Sequence, residues 1–144
     1  MPSGARDWYE DGVADHYREH GDTYRNPHAP IIERCMELAV QRWPLKVDHV
    51  LDLAAGAGEF TVALERAVAR RINVSSCDPF TAHAYEMQTG RPCLPITFEQ
   101  IAAGELRRQE FSLIGCSFAM HLCPVSILPV LLLELSQNAR QLLI

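Results

Sequence analysis

The chain has 144 residues, 48% of them apolar, which excludes a disordered chain and makes one domain the expectation. Its formal net charge of -5 speaks against a nucleic-acid scanning surface. The start is polar, without the apolar stretch of a secretory signal, and the longest greasy run, 125–135, is about half of a membrane span, so a chain of the cytoplasm with no membrane segment is expected.

Taken in order, residues 6–20 are charged and aromatic. Trp8, Val13 and Tyr17 share a loose helical face that Gly12 weakens. Residues 21–30 are rich in turn formers, with Pro27 and Pro30 marking a break. These residues read as an N-terminal cap segment, 1–30, ahead of a domain spanning 31–144. The period of Ile32, Cys35, Met36, Ala39, Val40 and Trp43 predicts a helix over 31–43, stopped by Pro44.

An apolar strand over 47–53 comes next, then a small-residue turn and a helix over 59–71. A second strand, 72–77, ends at Asp78, and a short helix over 80–88 is ended by Gly90. A third strand over 93–98 is weakened by Pro95. A short helix over 99–108 has a break at Gly104. A strand over 111–116 and a loop, 117–123, lead to a long helix, 125–138. That helix is apolar nearly all round, so cover from other elements is expected. A last strand opens at 141. Strands alternating with helices predict an α/β fold: a three-layer, Rossmann-like, mostly parallel sheet.

The chemistry concentrates at 50–61. Asp52 ends the first strand, and Gly56 and Gly58 lie in the turn before the helix. Strand, glycine turn and helix N-terminus form the arrangement that holds a nucleotide-like cofactor, because glycine permits a close approach and the first helical N–H groups stay free. Asp78 follows the second strand 26 residues after Asp52, at the spacing of an acid that accepts ribose hydroxyls. Thr61 stands where a dinucleotide turn has its third glycine. Glu59 adds negative charge beside the place of a pyrophosphate. Both disfavour a nicotinamide cofactor, and no phosphate-loop lysine follows the turn.

Cys35, Cys77, Cys93, Cys116 and Cys123 form no CxxC pair and are expected to be reduced and buried. No zinc spacing is present, so no metal is expected.

On Asp52, Ala54, Gly56 and Gly58, on Asp78 with the adjoining Pro79, and on the run Phe111-Ser112-Leu113-Ile114-Gly115-Cys116-Ser117-Phe118-Ala119-Met120-His121, the chain resembles the class I S-adenosylmethionine-dependent methyltransferases. The resemblance covers about residues 31–144. Ala54 stands at a usual glycine position, and Ser112 at a common aspartate position. It implies S-adenosyl-L-methionine as cofactor, with Asp52 supporting the turn or the amine and Asp78 on the ribose. Glu99, or its neighbour Phe98, would lie near the adenine, and Ser117 to His121 would face the acceptor. His121 and Tyr24 are candidate catalytic groups, and Tyr17 a candidate cover for the cofactor. The acceptor would be a small molecule or a protein.

The family's domain continues through three more strands that this sequence lacks. The expectation is therefore a truncated product, or a short chain completed by a partner subunit or a dimer mate. Two other readings stay open: a non-catalytic methyltransferase-like subunit acting in protein interaction, and a nicotinamide-dependent oxidoreductase.

Overall fold

A computed structural model describes Asp15 and residues 18–144; Trp8, Gly12, Val13 and Tyr17 lie outside the described residues. After a 3-10 turn, Gly21–Thr23, come α1 (Ala29–Arg42), β1 (Val50–Leu53), α2 (Glu59–Val68), β2 (Val74–Cys77), α3 (Ala82–Thr89), α4 (Phe98–Ala102) and β3 (Leu113–Gly115). A second 3-10 turn, Met120–Leu122, precedes α5 (Leu128–Asn138) and β4 (Leu142–Leu143). The strands form one sheet in the order β2-β1-β3-β4, and every pair is parallel.

Alternation along the strands builds two cores. In β1, Val50 joins a cluster with Ile32 and Met36 of α1 and with Phe60, Ala63 and Leu64 of α2. Leu51 and Leu53 point the other way, toward Ile101 of α4 and Leu131 and Leu135 of α5. Each fully buried leucine contributes roughly 2 kcal/mol of apolar transfer. In β3, Leu113 and Ile114 divide between the same two clusters. Gly115 faces Phe60: a Cβ there would lie 2.0 Å from the ring, so glycine is what lets α2 settle onto the strand.

The ends of the elements follow local chemistry. Asn26 Oδ1 accepts the His28 N–H at 2.8 Å ahead of α1, and Pro30 sits in the helix's first turn. Ala69, in the left-handed region, ends α2 before the predicted 71. Gly90 ends α3 as expected. Thr97 and Gln100 form a reciprocal capping box at the start of α4.

The third predicted strand is reduced to one parallel bridge, Cys77 with Leu94. Leu94 donates its N–H to Ser76 O and accepts from Asp78 N, but Pro92 and Pro95 on either side have no N–H to extend the ladder. Phe98, placed in that strand by the sequence, instead opens α4, which ends at Ala102 rather than 108.

The cover expected over 125–138 is also corrected. Leu131 and Leu135 are buried, whereas Val125, Val130, Leu132 and Leu133 are exposed. One face of α5 meets the sheet, through Leu131 and Leu135. All five cysteines are free and four are buried, but Cys35 is exposed on α1. No described helix is long and apolar enough to cross a membrane.

Candidate functional site

The C-terminal ends of β1 and β2 meet at the glycine turn. Gly56 and Gly58 have φ of +57° and +89°, the left-handed region that glycine adopts without strain. A Cβ on Gly56 would lie 2.8 Å from Tyr24 Cε1, and one on Gly58 would lie 2.5 Å from Thr89 Cγ2. Both approaches therefore require glycine. Ala54, at φ +53°, holds the same conformation with a side chain that disfavours it. Ala54→Gly is expected to raise stability by about 1 kcal/mol: relieved left-handed strain exceeds the added freedom of the unfolded chain. A urea unfolding midpoint checks this, and a lower midpoint contradicts it.

Asp78 knits the two strand ends together. Its Oδ2 accepts the Gly56 N–H at 3.1 Å, and its Oδ1 accepts the N–H groups of Phe80 at 2.9 Å and Thr81 at 3.0 Å. Pro79 between them makes the bend and has no N–H of its own to satisfy. The Asp78 carboxyl is thus committed to three backbone donors, which leaves one acceptor position on Oδ2.

Glu59, the first residue of α2, has a similar role across a longer span. Oε2 accepts the Ala57 N–H and Oε1 accepts the Asn26 N–H, both at 3.1 Å. Two acids therefore hold the consecutive turn amides of Gly56 and Ala57. The segment 21–28 lies over these strand ends. Besides the Tyr24 contact on Gly56, Gly21 packs on the Phe80 backbone, where a Cβ would meet the carbonyl oxygen at 2.0 Å. His28 stacks on Phe118, with ring centroids 5.1 Å apart. Phe118 has φ +52°, a strained conformation for an aromatic residue, in the loop after β3.

Beneath the turn, Asp52 is fully buried. Thr61 Oγ1 donates to its Oδ2 at 2.6 Å, and the buried Tyr85 hydroxyl lies 3.1 Å from Thr61. Asp52 Oδ1 has no hydrogen-bond partner. Burial pushes the Asp52 carboxyl up to about 8; the Thr61 bond opposes this, while the nearby charges of Glu59 and Asp78 add to it. Burial thus favours the protonated form of Asp52, which serves the turn from inside.

The sequence-derived set thus divides. Asp52, Ala54, Gly56, Gly58, Asp78, Pro79 and Tyr24 come together at the glycine turn, with Asp52 buried beneath it. Ser117 and His121 line a separate groove of about 790 Å3, between α1 and the loop after β3. Its walls are mainly apolar: Cys35, Met36, Trp43, Phe118 and Ile144 contribute. Phe60, one residue beyond Glu59, lines it too and joins it to the start of α2. Glu99 is exposed in the first turn of α4 and has no hydrogen bond to the glycine turn or to Asp78. The neighbouring Phe98 packs against the core. Tyr17 lies outside the described residues.

Sequence reasoning missed the anchoring roles of Glu59, Thr61 and Tyr85. Thr61 sits nine residues after Asp52, a spacing that a strand-turn-helix unit brings into contact, so its hydroxyl was a usable signal. Nothing local announces the Glu59 link to Asn26, 33 residues away. Among the described residues, no group of three or more His, Cys, Asp or Glu could hold a metal ion.

No family model matches the chain. An uncharacterised protein of Schizosaccharomyces pombe is 29% identical over 160 aligned positions, which cover 84% of this chain and 65% of that protein. The chain thus spans less than two thirds of that relative's length. Among solved structures, magnesium protoporphyrin IX methyltransferase from Synechocystis, with S-adenosylmethionine bound, superposes with a TM-score of 0.57 at 16% identity, over 93% of this chain and 69% of that one. The plantazolicin methyltransferase BpumL, in complex with S-adenosylhomocysteine, gives 0.55 at 12% identity, over 95% of this chain and 50% of that one. The parallel sheet, the glycine turn at the end of its first strand and these superpositions lead to one conclusion: the chain has the Rossmann-like fold of the class I S-adenosylmethionine-dependent methyltransferases.

Proposed function

We propose that the chain binds S-adenosylmethionine at the glycine turn and directs its methyl group to an apolar acceptor in the neighbouring groove. The observation that carries this reading is the pair of acids, Glu59 and Asp78, on the consecutive amides of Gly56 and Ala57. A pyrophosphate would need those amides and would meet both negative groups. A ligand with a sulfonium and an ammonium group against a single carboxylate is net positive and suits the same surroundings. The remaining acceptor position on Asp78 Oδ2 is the polar anchor at the turn.

In this reading Gly56 and Gly58 hold the methionine portion and Asp78 takes a ribose hydroxyl. The cofactor, when bound, supplies a methyl group already activated by the sulfonium. The chain's own work is then alignment and exclusion of water. Tyr24 shields the turn, and Phe60, Ser117 and His121 line the groove that would take the acceptor. A groove of this volume and character takes a flat or branched apolar molecule more readily than a charged peptide.

Photolabelling with methyl-tritiated S-adenosylmethionine tests the cofactor part. The expected result is saturable label on peptides holding Tyr24 and Gly56 to Glu59, displaced by S-adenosylhomocysteine and not by NAD. Displacement by NAD at similar concentration, or label spread over the chain, contradicts it.

A second reading, a methyltransferase-like subunit that works within an assembly, draws on one observation. Trp43, Leu142 and Ile144 are exposed, as are Val130 and Leu133 on α5. Such a subunit would form a stable complex and show no affinity for the cofactor.

A further inference from the structure

We propose that Glu59 is a positioning residue that latches the segment 21–28 onto the glycine turn, so that ligand entry requires its carboxylate to let go of one of two backbone amides. The inference builds on the cofactor reading above, but its geometry stands independently. One oxygen of Glu59 holds the Asn26 N–H and the other holds the Ala57 N–H, so a single side chain bridges the segment to the turn. Tyr24, two residues before Asn26, lies against the open side of Gly56, and Glu59 Oε2 would itself be 3.0 Å from a Cβ at Gly56. The face of Gly56 that a ligand must approach is therefore covered by the segment that Glu59 retains. The segment also packs on α3 through the Gly21–Thr23 turn, with Gly21 on the Phe80 backbone and His28 stacked on Phe118.

The chemistry specifies the acid. Two N–H donors at opposite ends of one planar group need two acceptor oxygens. Glutamine offers one oxygen and an NH2 that cannot accept, so it keeps one link and loses the other. Alanine loses both. A ligand carboxylate reaching Ala57 competes with Glu59 for the same amide, which couples binding to release of the segment.

Trypsin reads the latch without any cofactor. The Arg25–Asn26 peptide bond carries the N–H that Glu59 holds, and Arg25 is exposed. Glu59→Ala is expected to speed cleavage there at least tenfold. Cleavage after Arg70 and Arg71, exposed beyond the end of α2, is expected to keep its wild-type rate. Glu59→Gln is expected to fall between wild type and alanine. Equal rates at Arg25–Asn26 in wild type and Glu59→Ala overturn the latch. If Glu59→Ala accelerates every site together, Glu59→Gln decides: selective acceleration supports the latch and a wild-type rate overturns it. S-adenosylhomocysteine is then added. Selective cleavage in Glu59→Ala that S-adenosylhomocysteine leaves unchanged in both proteins supports the latch and overturns the cofactor reading, so the two failures are distinguishable.

Discussion

Asp78→Ala is expected to cost about 3 kcal/mol of stability and to weaken S-adenosylhomocysteine binding by about 100-fold or more. The stability loss follows from three backbone donors, Gly56, Phe80 and Thr81, that share this one carboxyl. Hydrogen bonds to a charged acceptor contribute roughly 1.5–3 kcal/mol each, and water replaces part of that once the side chain is gone. The binding loss has two origins: the ribose acceptor is removed, and the Gly56 amide is no longer held in place. Asp78→Asn separates them. Its single carbonyl oxygen retains part of the turn network, so most of the stability returns, while an amide in place of the carboxylate makes a weaker partner for a ribose hydroxyl. Urea unfolding and equilibrium dialysis on the same preparations measure both effects. Unchanged affinity in a folded Asp78→Ala protein removes Asp78 from the site.

The second large effect concerns pH. Asp52 has its carboxyl pushed from 3.8 up to about 8 by burial. Between those values the folded chain holds a proton that the unfolded chain releases. The stability that Asp52 contributes is therefore fully present below about pH 4 and is lost as pH rises through about 8. Asp52→Asn keeps an oxygen to accept from Thr61 and has no proton to lose. Its stability relative to wild type is expected to grow by about 2–4 kcal/mol between pH 5 and pH 9. Urea unfolding at pH 5, 7 and 9 gives the difference curve. Parallel wild-type and Asp52→Asn curves contradict the assignment of a neutral Asp52 beneath the turn.

The parts of the fold legible from sequence were those fixed by local chemistry. Apolar runs placed β1 and β2, with Asp78 just past the end of β2 and Asp52 one residue inside the end of β1, and Gly56, Gly58 and Gly90 marked places where the backbone turns left-handed. The less legible parts depend on neighbours. Hydrophobicity identified 125–138 as a helix but could not say how many of its faces would meet a partner, and Val130 and Leu133 stayed outside. The run around Leu94 had strand-like residues, yet its flanking prolines limited it to a bridge. At the site, Asp78 was read as a ribose ligand from its spacing, while its bonds to the turn amides needed the register that sets Leu53 beside Cys77. Glu59 was read only as a charge unfavourable to pyrophosphate. Its grip on Asn26 spans 33 residues and is visible only once the N-terminal segment folds over the turn.

The central claim is that the glycine turn with its two acids selects a sulfonium cofactor over a dinucleotide. Calorimetric titration of the chain with S-adenosylmethionine and, in parallel, with NAD tests it most directly. The account predicts one saturable site with micromolar affinity for S-adenosylmethionine, no measurable heat with NAD at the same concentrations, and loss of the site in Asp78→Ala. A folded chain that binds NAD as well as it binds S-adenosylmethionine, or that binds neither, would contradict it.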